Sequence, residues 1–193
     1  MIQYVEGDAT QPEGDGPKVI VHCCNDIGAW GAGFVVALSR RWEMPERSYR
    51  AWASGDPAFG LWPFDLGAVQ FVTVQRKPKL VVANLIGQRD VRPDKAGRPP
   101  IRYPAIGKGM LSVAAFAREI GATIHMPRMG AGLAGGDWDA IATIVDLACP
   151  DLSVTVYDLP QPARGRTFRG EAVRYNHTDA FGTRIAPDAL TEE

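Results

Sequence analysis

Two glycine-rich segments offer the clearest chemistry in this 193-residue chain: Gly28 to Gly33 (GAWGAG) and Pro127 to Gly136 (PRMGAGLAGG). Glycine lets a backbone come close to a phosphate, and the amides opening a following helix meet it with the favourable end of the helix dipole. The pair together suits an anionic diphosphate. Singly each is weak: the first lacks the Gly-Lys-Ser/Thr of a P-loop and the partner acid of a dinucleotide fingerprint. A lone glycine-rich turn is more often plain turn chemistry.

Side chains around these segments carry two readings each. Asp8 ends the first strand, where its carboxylate either accepts from an exocyclic amine or caps a turn with Thr10. Asn25 and Asp26 leave a buried strand just before the first segment, placed either to bond ribose hydroxyls or to shape the turn. His22 lies inside an apolar run, where a single histidine is more often a satisfied core residue than a catalyst. Cys23, Cys24 and Cys149 form neither a disulfide framework nor a metal spacing and read as structural, in a reducing compartment. His125 and His177 take the same structural reading.

The elements that must hold these residues follow from apolar patterning. Ile2 to Val5 reads as a short strand and Lys18 to Cys24 (KVIVHCC) as a central buried one. Helices are expected from Phe34 to Trp42 and from Pro45 to Ala53, the second with proline in its first turn. Gly67 to Gln75 and Leu80 to Ile86 read as a strand hairpin turning at Lys77-Pro78. Gln88 to Arg102, broken by prolines and charges, reads as a surface loop. Tyr103 to Ile120 has helical periodicity and stops at Gly121. A strand at Thr123 to Met126 enters the second glycine segment, Asp137 caps a helix to about Ala148, and Ser153 to Asp158 is the last strand. Strands alternating with helices indicate an α/β sandwich, and both glycine segments then sit at the carboxyl edge of its sheet, where such folds form ligand crevices.

Composition narrows the function. The chain is 46% hydrophobic and 22% charged, as globular proteins are, and its 21 Lys plus Arg against 22 Asp plus Glu create no overall field for a polyanion. Its first ten residues (MIQYVEGDAT) lack the basic start and apolar run of an export signal, and no apolar run reaches the roughly 20 residues of a membrane span. The expectation is a cytoplasmic protein with no membrane partner. Residues 1–159 form the expected domain, and 160–193, rich in Arg, Gly and Pro, a weakly ordered tail.

In order and spacing, IQYVEGDATQP, VIVHCCNDIGAWGAGFVVALSRRW, MPRMGAGLAGGDW and SVTVYDL resemble the macrodomain family over roughly residues 1 to 159. The His-x-x-Asn run, the Gly-x-Trp-Gly-x-Gly loop and the Met-Pro segment look most like the yeast-type ADP-ribose 1''-phosphate phosphatases, neighbours of the terminal ADP-ribose protein glycohydrolases. The resemblance implies a three-layer α/β/α sandwich with a mixed, largely parallel central sheet. It implies a monomer that needs no cofactor or metal and binds ADP-ribose, its 1''-phosphate or ADP-ribosylated macromolecules. Asp8 would meet the adenine with the Ala9 amide beside it, and Asn25 the distal ribose. Gly31, Ala32, Gly33 and Phe34 would form the first diphosphate loop; Met129, Gly130, Ala131, Gly132, Leu133 and Ala134 the second. His22 and Asn25 become the catalytic candidates, for hydrolysis at the distal ribose that releases phosphate from the 1''-phosphate.

The resemblance does not extend to the glycohydrolase lysine and acid: the matching stretches read LIGQRD and GAGLAGG, with Ala134 at the acid's place. Two alternatives therefore stand beside the phosphatase. One is a non-catalytic reader of ADP-ribose. The other is a hydrolase that removes ADP-ribose from protein or nucleic acid through Asp26, Arg89 or Asp90.

Overall fold

The computed structural model describes residues 2–60 and 62–160; the expected tail, from residue 161 on, and His177 within it lie outside the described residues. Six strands and four helices alternate: β1 (Ile2–Glu6), β2 (Lys18–Asn25), α1 (Phe34–Arg41), α2 (Met44–Ala53), β3 (Val69–Arg76), β4 (Lys79–Gln88), α3 (Tyr103–Ile120), β5 (Thr123–Pro127), α4 (Trp138–Ala148) and β6 (Val154–Asp158). They follow the patterning closely. Gly121 ends α3 in the left-handed region at φ 63°, its N–H returned to Ala117 and Arg118, and the Asp137 side chain caps α4 by accepting from Asp139 N.

The sheet runs β1-β6-β5-β2-β4-β3. Five strands are parallel, and only the edge strand β3 is antiparallel, paired with β4 as the hairpin predicted. Sequence neighbours are therefore mostly not sheet neighbours. β2 has β5 on one side and β4 on the other, which sets the exits of β2 and β5 next to each other at the carboxyl edge.

Alternate residues of the central strands enter different layers. Val19, Val21, Ala83, Leu85, Ile124 and Met126 pack with α3 and α4 in the main core. Ile20 and Val82 pack with Leu38 of α1, while Cys24 and Ile86 pack with Tyr49 and Trp52 of α2. Each fully buried aliphatic or aromatic side chain stabilises the fold by about 1.5–3 kcal/mol, so two-sided burial holds the middle strands firmly in place. Among the described residues no helix is long and apolar enough to cross a membrane.

Candidate ligand-binding site

The first glycine segment leaves β2 and opens α1. Gly33, at φ 76°, supplies the turn into the helix, with no side-chain cap and no acid in the first turn. An L side chain is strained at that φ, so glycine is required there. The N–H groups from Gly31 to Val35 find no acceptor among the described residues. A helix start ordinarily meets such groups with a capping side chain or a ligand.

The second segment leaves β5 and folds tightly on itself. Gly136 N donates to Gly130 O at 2.8 Å, and a Cβ on Gly136 would come within 2.6 Å of that same oxygen. Gly135 N donates to Gly132 O and Ile101 N to Ala134 O, which ties the loop to the end of the 89–102 excursion. Met129 and Ala134 are buried and can offer a ligand only backbone. The N–H groups of Gly130, Gly132, Leu133 and Ala134 have no acceptor among the described residues, whereas Ala131 N donates to Arg128 O at 3.4 Å. The two segments come close together: a Cβ added to Gly33 would stand 3.5 Å from Leu133 Cδ1, and Leu133 is 75% exposed.

Asp8 is engaged as a turn cap. One carboxylate oxygen accepts from Thr10 N at 2.8 Å, the other from Thr10 Oγ1 at 2.9 Å and Gln11 Nε2 at 3.2 Å. Partial burial raises its pKa, but these hydrogen bonds outweigh burial and hold it below the ordinary value. Ala9 beside it is buried, and its N–H has no acceptor among the described residues.

Asn25 shapes the first loop. Its Oδ1 accepts from Ile27 N, Ala29 N and Tyr49 Oη, and its Nδ2 donates to Ala29 O at 2.6 Å. Tyr49 also donates to Asn25 O, and burial pushes its phenol well above the usual range. Asp26, one residue on, is half-buried; its Oδ1 accepts from Asp90 N at 2.7 Å and its Oδ2 lies 3.8 Å from Arg89 Nε. Asp90 holds a left-handed φ of 58°, unusual outside glycine, and Gln88 Nε2 donates to its carbonyl.

His22 lies beneath the first loop instead of in its mouth. It is 1% exposed, with its ring edge-on to Trp30 at 5.5 Å and 6.0 Å from Phe34. Its Nε2 donates to Asn84 Oδ1 at 2.7 Å; Asn84 Nδ2 donates to Pro45 O and Gln70 Oε1; Gln70 Nε2 donates to Ser48 O and Phe59 O. These three residues are cross-strand neighbours on β2, β4 and β3, and they bolt the sheet to α2. Burial lowers the His22 pKa to about 4, only partly opposed by the Asn84 bond, so the ring is neutral near pH 7. Burial likewise pushes the Cys23 thiol up to about 12 and Cys24 well above its ordinary value, which leaves neither a nucleophile.

Sequence reasoning did not single out Trp30 as a positioning residue. Its Nε1 donates to Ser39 Oγ at 2.8 Å, Ser39 donates to Glu46 Oε2, and Arg50 Nη2 donates to Trp30 O. The tryptophan thus anchors the first loop to α1 and α2 together. A large aromatic inside a glycine-rich segment was the available signal.

Fold and rim together define a class: an α/β/α sandwich whose carboxyl edge presents two neighbouring rows of open backbone amides. No profile of a known family matches the chain. A macrodomain protein from Streptomyces coelicolor is 48% identical, the match covering 82% of this chain and 99% of that one with a TM-score of 0.69. The chain belongs to the macrodomain family. At 12% identity, the DarTG structure from Thermosipho africanus in complex with ADP-ribose shares the fold, with a TM-score of 0.57 over 74% of this chain and 38% of that one. A curated relative, the chromodomain-helicase-DNA-binding protein 1-like of Danio rerio, is 32% identical over 145 residues, 71% of this chain. The chain spans only 13% of that protein's length and 18% of its Mus musculus counterpart's.

Proposed function

We propose that the chain binds ADP-ribose along the carboxyl rim, with the diphosphate between the two glycine loops. The observation that carries this reading is the pair of open amide rows, Gly31 to Val35 and Gly130 with Gly132 to Ala134, on neighbouring loops. A diphosphate supplies the acceptors and the negative charge that both rows and the start of α1 favour. The ADP-ribose complex of the Thermosipho protein with this fold supports the choice of ligand. In this reading Asp8 and Ala9 meet the adenine and Asn25 the distal ribose. A carboxylate has about four acceptor sites, and three donors already reach Asp8, which leaves room for one exocyclic amine.

Recognition without bond breaking fits the geometry better than hydrolysis through His22. The phosphatase reading needs that ring to exchange a proton at the distal ribose, and its 1% exposure and its bond to Asn84 count against this. A hydrolase of ADP-ribosylated macromolecules is the second reading. It is favoured by the half-buried Asp26 carboxylate, which stands beside Arg89 and a strained Asp90 at the exits of β2 and β4.

Calorimetric titration of ADP-ribose into the wild type and Asp8→Ala, with phosphate release from ADP-ribose 1''-phosphate followed in parallel, tests these readings. Binding weakened in Asp8→Ala without phosphate release supports recognition or hydrolysis at another linkage, and product analysis with an ADP-ribosylated macromolecule separates those two. Phosphate release abolished in His22→Ala restores the phosphatase reading. No binding by the wild type overturns the proposal.

A further inference from the structure

At the far end of α1 from the glycine loops, a groove of about 280 Å³ opens between the 8–17 loop, the last turn of α1 and the β3–β4 hairpin. Its wall includes Lys18, Arg41 and Trp42, and no carboxylate lines it. We infer that this groove is a second anion-binding site, separate from the rim, which takes a small phosphate-bearing molecule through Lys18, Arg41 and the Trp42 indole.

The groove's donors are largely unused. Lys18 is 94% enclosed, being only 6% exposed, yet its ammonium makes a single hydrogen bond, to Gly16 O at 3.1 Å. No carboxylate of the described residues lies within ion-pairing distance of Lys18 or Arg41; Asp8, outside the wall, feels the Arg41 charge only at longer range. A buried ammonium with neither a counter-charge nor a full set of acceptors is costly unless an anion joins it. Arg41 stacks on Trp42 at 5.3 Å, which orients its guanidinium and leaves its N–H fork without an acceptor among the described residues. The Trp42 indole N–H also has no acceptor among the described residues.

The other polar side chains on the wall are engaged elsewhere, Lys79 with its ammonium 5.4 Å from the Phe116 ring centroid. Thr10 and Gln11 donate to Asp8, and Gln75 donates to Pro78 O. The positive field is felt locally, since the Lys18 charge adds to burial in lowering the His125 pKa to about 4. A tetrahedral phosphate monoester offers the several acceptors that an ammonium, a guanidinium fork and an indole N–H can share. At about 1.5 Å per residue, the eight residues of α1 set this groove roughly 12 Å from the glycine loops, so it does not overlap the proposed diphosphate position, while Thr10 and Gln11 of its wall reach Asp8 at the adenine end.

Titration of inorganic phosphate into the folded chain, followed by residue-resolved NMR, separates the two sites. Saturable shifts of the Trp42 indole N–H and of the Lys18 and Thr10 amides are expected, in addition to shifts at Gly31 to Val35. In Arg41→Gln the groove shifts should require about tenfold or more phosphate, as loss of a charge-assisted bond implies, while the loop shifts keep their midpoint. Lys18→Met should do the same; if it does not fold, Arg41→Gln alone carries the test. Absence of a saturable Trp42 shift, or a midpoint unmoved in Arg41→Gln, overturns the inference.

Discussion

His22 Nε2 lies 2.7 Å from Asn84 Oδ1, and this contact settles which ring nitrogen carries the hydrogen. Asn84 must turn its amide nitrogen toward Pro45 O, which only accepts, so its oxygen faces the ring and Nε2 must donate. Asn84→Ala would strand the His22 N–H, the Pro45 carbonyl and Gln70 Oε1 in the interior. A loss of about 3 kcal/mol or more is expected, read as a lower urea midpoint with an unchanged slope. A midpoint within error of the wild type would remove the ladder from the account of stability.

Acid should loosen the fold well before the carboxylates titrate. His22 and His125 both have folded-state values of about 4 against an ordinary 6.5. Between those values the unfolded chain binds protons that the folded one excludes, so stability is complete above 6.5 and drains away as pH falls toward 4. For the fully enclosed His22 this amounts to about 3 kcal/mol, and the buried His125 adds a contribution of the same sign. Urea midpoints at about pH 7 and about pH 4.5 should differ accordingly. His22→Gln should flatten the dependence, and a flat wild-type profile would contradict the burial of both rings.

Gly33→Val places a branched side chain at φ 76° and directs its methyl groups at Leu133. The strain at such a position is about 1–3 kcal/mol, and the amide row is rotated or blocked. ADP-ribose binding by calorimetry should fall by more than tenfold while the far-UV spectrum stays native, on the order of what a lost charge-assisted contact produces. Retention of wild-type affinity would separate the loop from the ligand.

Asp137→Ala removes the acceptor for Asp139 N at the start of α4. The expected cost is about 1 kcal/mol, seen as a modest fall in melting temperature. Asp137→Asn should restore most of it, because an amide oxygen caps nearly as well.

The element order was legible because apolar periodicity and punctuation agreed: Gly121 stops α3, Asp137 starts α4, and a proline opens α2. The glycine loops were legible as residue types, and their closeness followed once β2 and β5 were neighbours. That adjacency was not legible, since nothing local in a strand names a partner more than a hundred residues away. The direction of His22 was hidden for a related reason. β2 is buried on both faces, so its alternation carries no signal about which layer a given side chain enters. Asp8 and Asn25 each kept two readings, and both proved to be turn-shaping residues whatever else they bind. The cationic groove was masked by a net charge of −1, a sum that says nothing about where charges gather.

The pairing of β1 with β6, in register from Ile2 with Val154 to Glu6 with Asp158, has a consequence for synthesis. At the sheet's edge, β1 has β6 as its one neighbour in the strand order among the described residues. β1, made first of the six described strands, therefore waits for β6, made last of them, before it can pair. A nascent chain stalled before residue 154 would display an unmatched strand to chaperones and to other nascent chains.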